Sequence, residues 1–137
     1  QFSMNHWLVK TEPNDYAWED LVNLGKDHWD GVRNYQARNN LAMMKEGDKV
    51  LFYHSGKERQ VVGIAKVVKE SYQDPTTNDD RWVAVDLVPD KKLERPVDLK
   101  GIKADERLSE LLLVRNSRLS VMPVSRQHYE IIVSKSH

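Results

Sequence analysis

Two runs of β-branched and aromatic residues, Lys49 to His54 and Val61 to Lys69, flank the short polar, glycine-containing segment Ser55 to Gln60. That arrangement predicts a β-hairpin. A third run starts at Trp82, where Val83, Val85 and Leu87 alternate with Ala84, Asp86 and Val88, the two-residue period of a strand. Between the second and third runs lies the polar loop Asp74 to Asp80, which contains Pro75.

Other elements attach to this strand-rich centre. His6 to Lys10 is a short apolar run closed by Pro13 and reads as a strand leaving into a turn. Asp15 is placed to cap a helix with Trp18, Leu21 and Val22 on its apolar face and Gly25 as its stop. Trp29-Asp30-Gly31 reads as a turn, after which Asn34 caps a second helix with Ala37, Leu41 and Met44 on one stripe. Lys45-Glu46-Gly47-Asp48 is a further turn. Arg95 to Leu99 reads as a short strand, and Leu108, Leu111 and Leu112 share one face of a short helix that Asp105 caps. Leu119 to Val124 is a last strand whose Pro123 marks an edge or a barrel corner. Ser125 then caps a C-terminal helix turning Tyr129, Ile132 and Val133 to the core. Five or six strands interrupted by short helices predict an α+β fold built on a small, partly open β-barrel.

Composition narrows the function classes. With 39% hydrophobic and 31% charged residues, the chain reads as one soluble, folded domain over 4–137. No apolar run is long enough to span a bilayer and no secretory leader is evident, so no membrane partner is expected. Gln1-Phe2-Ser3 ahead of Met4 reads as the remnant of an expression tag. Cysteine is absent, which excludes disulfides and thiolate metal sites and suits a reducing cytoplasm. Lysine and arginine total 21, matching 21 acidic residues. A protein that grips nucleic acid through phosphates alone is strongly basic; here any such grip must come from a local patch or a shaped pocket.

Familiar enzyme machinery is missing. His6, His28, His54, His128 and His137 include no pair at metal-ligand spacing, so no metal is expected. The glycines are scattered singly, without a phosphate-cradling or dinucleotide motif, so no cofactor is expected, and no serine sits in a nucleophile elbow.

Four polar and aromatic segments remain: Lys10-Thr11-Glu12-Pro13, the eleven residues from Trp29 to Asn39, Phe52-Tyr53-His54-Ser55, and Ser117 to Pro123. Each has an ordinary reading as an exposed turn, a helix cap, core aromatics or a surface ion pair. Together they offer what recognition of a planar base requires. Aromatic faces and guanidinium planes stack on it, while amides and hydroxyls read its polar edge.

Read in order, the blocks HWLVKTEP, WDGVRNYQARNNL, VLFYHS, VGIAKVVKE, RPVDLKGIK and LVRNSRLSVMPVS resemble those of the EVE domain family, from about His6 to Val133. WDGVRNYQARN is the most specific of them. The resemblance implies a PUA-like fold related to YTH and ASCH domains, a mixed, partly open β-barrel of five to six strands with short helices packed around it. It also implies a module that takes a modified nucleobase into a pocket: modified cytosine in DNA, with modified RNA as another ligand class.

Carried onto this sequence, the implied base-binding residues are Lys10, Thr11 and Glu12; Trp29, Val32, Arg33, Asn34 and Tyr35; Tyr53, His54 and Ser55; and Ser117, Leu119 and Ser120. Within that set Trp29 or Tyr53 would supply an aromatic face, and Asn34, Ser55 and Ser120 would read the base edge. Arg33, Arg38 and Arg118 would contact phosphates. No catalytic residue is expected of such a reader, which would act as a monomer on DNA or RNA carrying the modified base. The alternative is a small amidohydrolase acting on an acylated nucleoside, as in ASCH-like relatives, with Lys10, Thr11 and Glu12 as its working groups.

Overall fold

The computed structural model describes residues 5–137; the tag reading of Gln1 to Ser3 falls outside them. Its strands are β1 (His6–Thr11), β2 (Asp27–Trp29), β3 (Lys49–His54), β4 (Gln60–Gln73), β5 (Val83–Asp98) and β6 (Val121–Val124). The helices are α1 (Trp18–Leu24), α2 (Tyr35–Met43), α3 (Leu99–Lys103), α4 (Leu112–Arg115) and α5 (Arg126–Ser134), with a 3₁₀ turn at Glu106–Leu108.

All six strands form one mixed sheet in the order β2-β5-β4-β3-β1-β6. β1 and β3 run parallel, with Lys10 beside Tyr53 and Thr11 beside His54; the other neighbours are antiparallel. The β4–β5 ladder shifts register four times between Val61 and Tyr72. Each irregularity bends and twists the pair, which is how two long strands curl around a core. The sheet is not closed, and β2 and β6 are its edges. Pro123, which has no N–H to donate, lies on edge strand β6 opposite Trp7.

The hairpin from Lys49 to Lys69 forms as the pattern dictates, and Val50, Leu51, Phe52, Val61, Ala65 and Val67 are fully buried. The Trp18 ring meets Phe52 edge-on, with centroids 5.3 Å apart. It lies so close to the β4 backbone that a Cβ on Gly63 would come within 2.7–2.8 Å of its ring atoms. Only glycine leaves room for the indole there.

Several boundaries differ from the sequence reading. α1 starts after Ala17 rather than Asp15, and the Asp20 carboxylate accepts a hydrogen bond from the Ala17 N–H at 2.7 Å. Val22 points outward. Asp27–Trp29 is an edge strand paired with β5, too short to announce itself by alternation. The strand expected at Arg95 to Leu99 is the far end of β5, followed by the short helix α3. Asp105 caps the 3₁₀ turn and not a helix containing Leu112, which belongs to α4. Asn34 and Ser125 do cap α2 and α5, accepting from the N–H groups of Ala37 and His128. No helix among the described residues is long and apolar enough to cross a membrane.

Candidate functional site

A cavity of about 550 Å³ opens where β1 ends, inside the range of roughly 300–1,000 Å³ typical of ligand pockets. Lys10 and Thr11 enter it from β1, Asp15 and Tyr16 from the following loop, and Asp27, His28 and Trp29 from β2. Asp30 to Arg33 form the next wall, and Ser120 closes it from the approach to β6.

The floor is aromatic and rigid. Trp29 sits edge-on to Tyr16 and to Phe52, with centroids 6.0 and 5.5 Å away. The Tyr16 hydroxyl donates to Asp27 at 2.8 Å. Burial, reinforced by that hydrogen bond and by the neighbouring carboxylates, pushes the phenol pKa well up, so Tyr16 stays protonated. Val32, itself buried, contributes an apolar side chain.

The polar groups divide into donors and acceptors. Lys10 is half-buried, and burial lowers its pKa; its Nζ donates to the Ser117 carbonyl at 2.7 Å. The Thr11 hydroxyl donates to the Tyr16 carbonyl at 2.9 Å. Asp30 stands opposite as an acceptor. Its pKa is raised by burial, against the pull of His28, whose Nε2 lies 2.8 Å from the carboxylate.

The wall from Asp30 to Arg33 is clamped from behind by Asp74. This buried carboxylate accepts from the Gly31 N–H (2.8 Å), from the Arg33 guanidinium (2.9 Å), and from both the N–H and the hydroxyl of Thr76 (2.7 and 2.6 Å). Burial alone would raise its pKa, but these bonds outweigh it and hold the carboxyl far below the ordinary range. Gly31 takes a φ of +74°, which turns its N–H onto Asp74 and which a side chain would oppose.

Of the residues expected at the site, Lys10, Thr11, Trp29, Val32, Arg33 and Ser120 line this cavity. The rest lie elsewhere. Glu12 lines a separate depression with Gly56 and Glu58, so Lys10, Thr11 and Glu12 are not gathered into one place. The Asn34 Oδ1 is occupied by the N–H of Ala37 at 2.9 Å. Tyr53 and Leu119 are core residues. The buried His54 accepts the Trp18 N–H on Nε2 at 3.0 Å and meets Glu58 through Nδ1 at 2.8 Å, so it caps α1 across the fold. Ser55 and Ser117 are held by main-chain bonds, to the Thr11 carbonyl and from the Lys10 amine. Tyr35 is on the surface, stacked on Trp82; Arg38 lies over Tyr35, and Arg118 is exposed.

Sequence reasoning missed Asp15, Tyr16, Asp27, His28 and Asp30 as cavity residues. The signal available was the density of acids and aromatics from Asp27 to Asp30, which a turn does not require. Among the described residues, no group of three histidine or acidic side chains could hold a metal ion.

Comparison with known proteins gives this geometry a lineage. The EVE domain profile matches residues 5–135. Human thymocyte nuclear protein 1 is 32% identical over 164 aligned positions, covering 95% of this chain and 73% of the human protein. A crystal structure from Agrobacterium tumefaciens superposes with a TM-score of 0.95 at 42% identity, over 96% of this chain and 92% of that one. The structure of human THYN1 in complex with DNA containing 5-methylcytosine superposes with a TM-score of 0.88 at 31% identity, over 97% and 98% of the two chains. With a family match over residues 5–135 and nearly its whole described length superposed on these proteins, the chain belongs to the EVE domain family.

Proposed function

We propose that this chain is a nucleic-acid-binding module that takes a modified base, a modified cytosine in DNA, flipped into the cavity at the end of β1, and performs no chemistry on it. The observation that carries the reading is that cavity, in a chain aligned almost end to end with a human protein solved on DNA containing 5-methylcytosine.

The lining supplies the groups that cytosine needs. Its exocyclic amine is a donor, for which a carboxylate is the matching acceptor; Asp30 takes that role. The ring nitrogen and carbonyl are acceptors, served by Lys10 Nζ and the Ser120 hydroxyl. A 5-methyl group gains from apolar contact, which Val32 provides. Trp29 and Tyr16 bound the ring sideways. A flipped base leaves its polar edge without water, so each of these pairings matters to affinity. Arg38 and Arg118 have no carboxylate partner among the described residues and serve as the phosphate contacts, whereas Arg33, tied to Asp74, shapes the rim. The module acts as a monomer and as a single domain over 4–137, in the cytoplasm, where a cysteine-free chain is at home.

The test is binding, at low and at physiological salt, to matched oligonucleotides. They carry unmodified cytosine, methylcytosine, hydroxymethylcytosine or methyladenine, in DNA and in RNA. A tenfold preference for one modified cytosine, about 1.4 kcal/mol, is expected. Equal and steeply salt-dependent binding to all of them would mean that only phosphates are held, and the reading would be wrong.

A further inference from the structure

At the rim of the cavity, four side chains from two distant segments form a layered array. The Tyr35 ring lies over Trp82 with centroids 5.1 Å apart and planes tilted 33°. The guanidinium groups of Arg33 and Arg81 lie 5.5 and 5.8 Å from the Trp82 ring. Arg81 is held in place from both sides. It donates through Nε and an amino nitrogen to Asp79 at 3.0 and 2.6 Å, and through its other amino nitrogen to the Tyr35 hydroxyl at 3.0 Å.

Two features of this array are unusual for a surface. Tyr35 is 51% exposed, as the first residue of α2, where an aromatic ring gains nothing for the helix. The two guanidiniums on Trp82 are already neutralised, Arg33 by Asp74 and Arg81 by Asp79. These two guanidiniums are therefore fixed over Trp82 and suit the array to stacking. The one cation beside it without a carboxylate partner among the described residues is Arg38, over the Tyr35 ring at 5.7 Å. The array is also continuous with the cavity, because Arg33 belongs to both.

We propose that Tyr35, Trp82 and Arg81 form a stacking shelf for a second nucleobase, the one flanking the base held in the cavity. This rests on the cavity's being the base-binding site and extends it to a dinucleotide footprint. An aromatic face accepts any base, because every base has a π-face. The shelf thus adds affinity without choosing sequence, while the cavity does the choosing. Ordering of Arg81 by Asp79 and Tyr35 before binding reduces the entropy lost on stacking.

The experiment compares wild type, Tyr35→Ala and Tyr35→Phe on three probes: 5-methyldeoxycytidine alone, a short single-stranded DNA with one central 5-methylcytosine, and its unmethylated twin. Thermal melts verify that the variants are folded. Wild type is expected to bind the strand more tightly than the nucleoside. Tyr35→Ala is expected to lose about tenfold on both strands, equally at low and high salt, with the nucleoside affinity and the methylated-to-unmethylated ratio unchanged. Tyr35→Phe, which keeps the ring, should stay within about twofold of wild type. Unchanged strand affinity in Tyr35→Ala would overturn the shelf. So would a parallel loss on the nucleoside, which would make Tyr35 part of the cavity. A wild type with no preference for the methylated strand would refute the cavity reading instead; the Tyr35→Ala loss on both strands would then still report the shelf.

Discussion

Asp74 is the residue whose removal tests most of the site's architecture at once. Replacing it by alanine strips the acceptor from the Gly31 N–H, the Arg33 guanidinium and the Thr76 N–H together. Removing one member of a buried ion pair costs about 3–5 kcal/mol. Arg33, however, is 41% exposed and recovers part of its solvation, so the net loss should lie near the low end, about 3 kcal/mol. Urea denaturation at neutral pH measures it as a shift in midpoint at unchanged slope. The pH dependence gives an independent reading. A carboxyl whose pKa is depressed by folding stabilises fully above its unfolded value, near 3.9, and loses that contribution as pH falls towards the folded value. The stability gap between wild type and Asp74→Asn should therefore be full above about pH 5 and shrink steadily below about pH 4. A gap that is absent at neutral pH, or that stays constant down to pH 2, would refute the clamp.

Three further substitutions probe the supports around the cavity. Gly63→Ala should destabilise by about 1–3 kcal/mol, read from urea midpoints, because its Cβ has no room beside the Trp18 ring. In His54→Ala the Trp18 N–H is left buried without an acceptor; a loss of about 1–3 kcal/mol is expected, with base affinity unchanged in a calorimetric titration. Asn34→Ala should lower the melting free energy by about 1 kcal/mol through the lost α2 cap, whereas a selective loss of base binding with no change in stability would return Asn34 to the recognition surface.

How much of this was legible in the sequence depended on the kind of signal each residue carries. The central hairpin was plain because its periodicity and burial agree over many residues. The caps at Asn34 and Ser125 were plain because side chain and N–H are three residues apart. β2 was not, since a three-residue edge strand is defined by its partner β5 and not by its own pattern. The site divided in the same way. Block resemblance pointed to the segments around Lys10, Trp29 and Ser120, which do meet at one cavity. It could not separate, within a block, the residue facing the cavity from its neighbour serving the core. His54 and Tyr53 pass for binding residues until the distance from His54 to the Trp18 N–H, across 36 positions of chain, is known. Asp30 was hidden for the opposite reason, as an acid beside a glycine is the ordinary mark of a turn.

The cavity takes its walls from residues near positions 10, 30 and 120, so no single stretch of chain owns it. Local opening of β1, of β2 or of the approach to β6 would each dismantle it, and any ligand bound there must hold all three together. Ligand and fold are thereby thermodynamically linked: any molecule that fills the cavity stabilises the whole tertiary structure, by about 2.7 kcal/mol at a hundredfold excess over its dissociation constant. The melting temperature of the unlabelled protein can thus serve as a ligand detector.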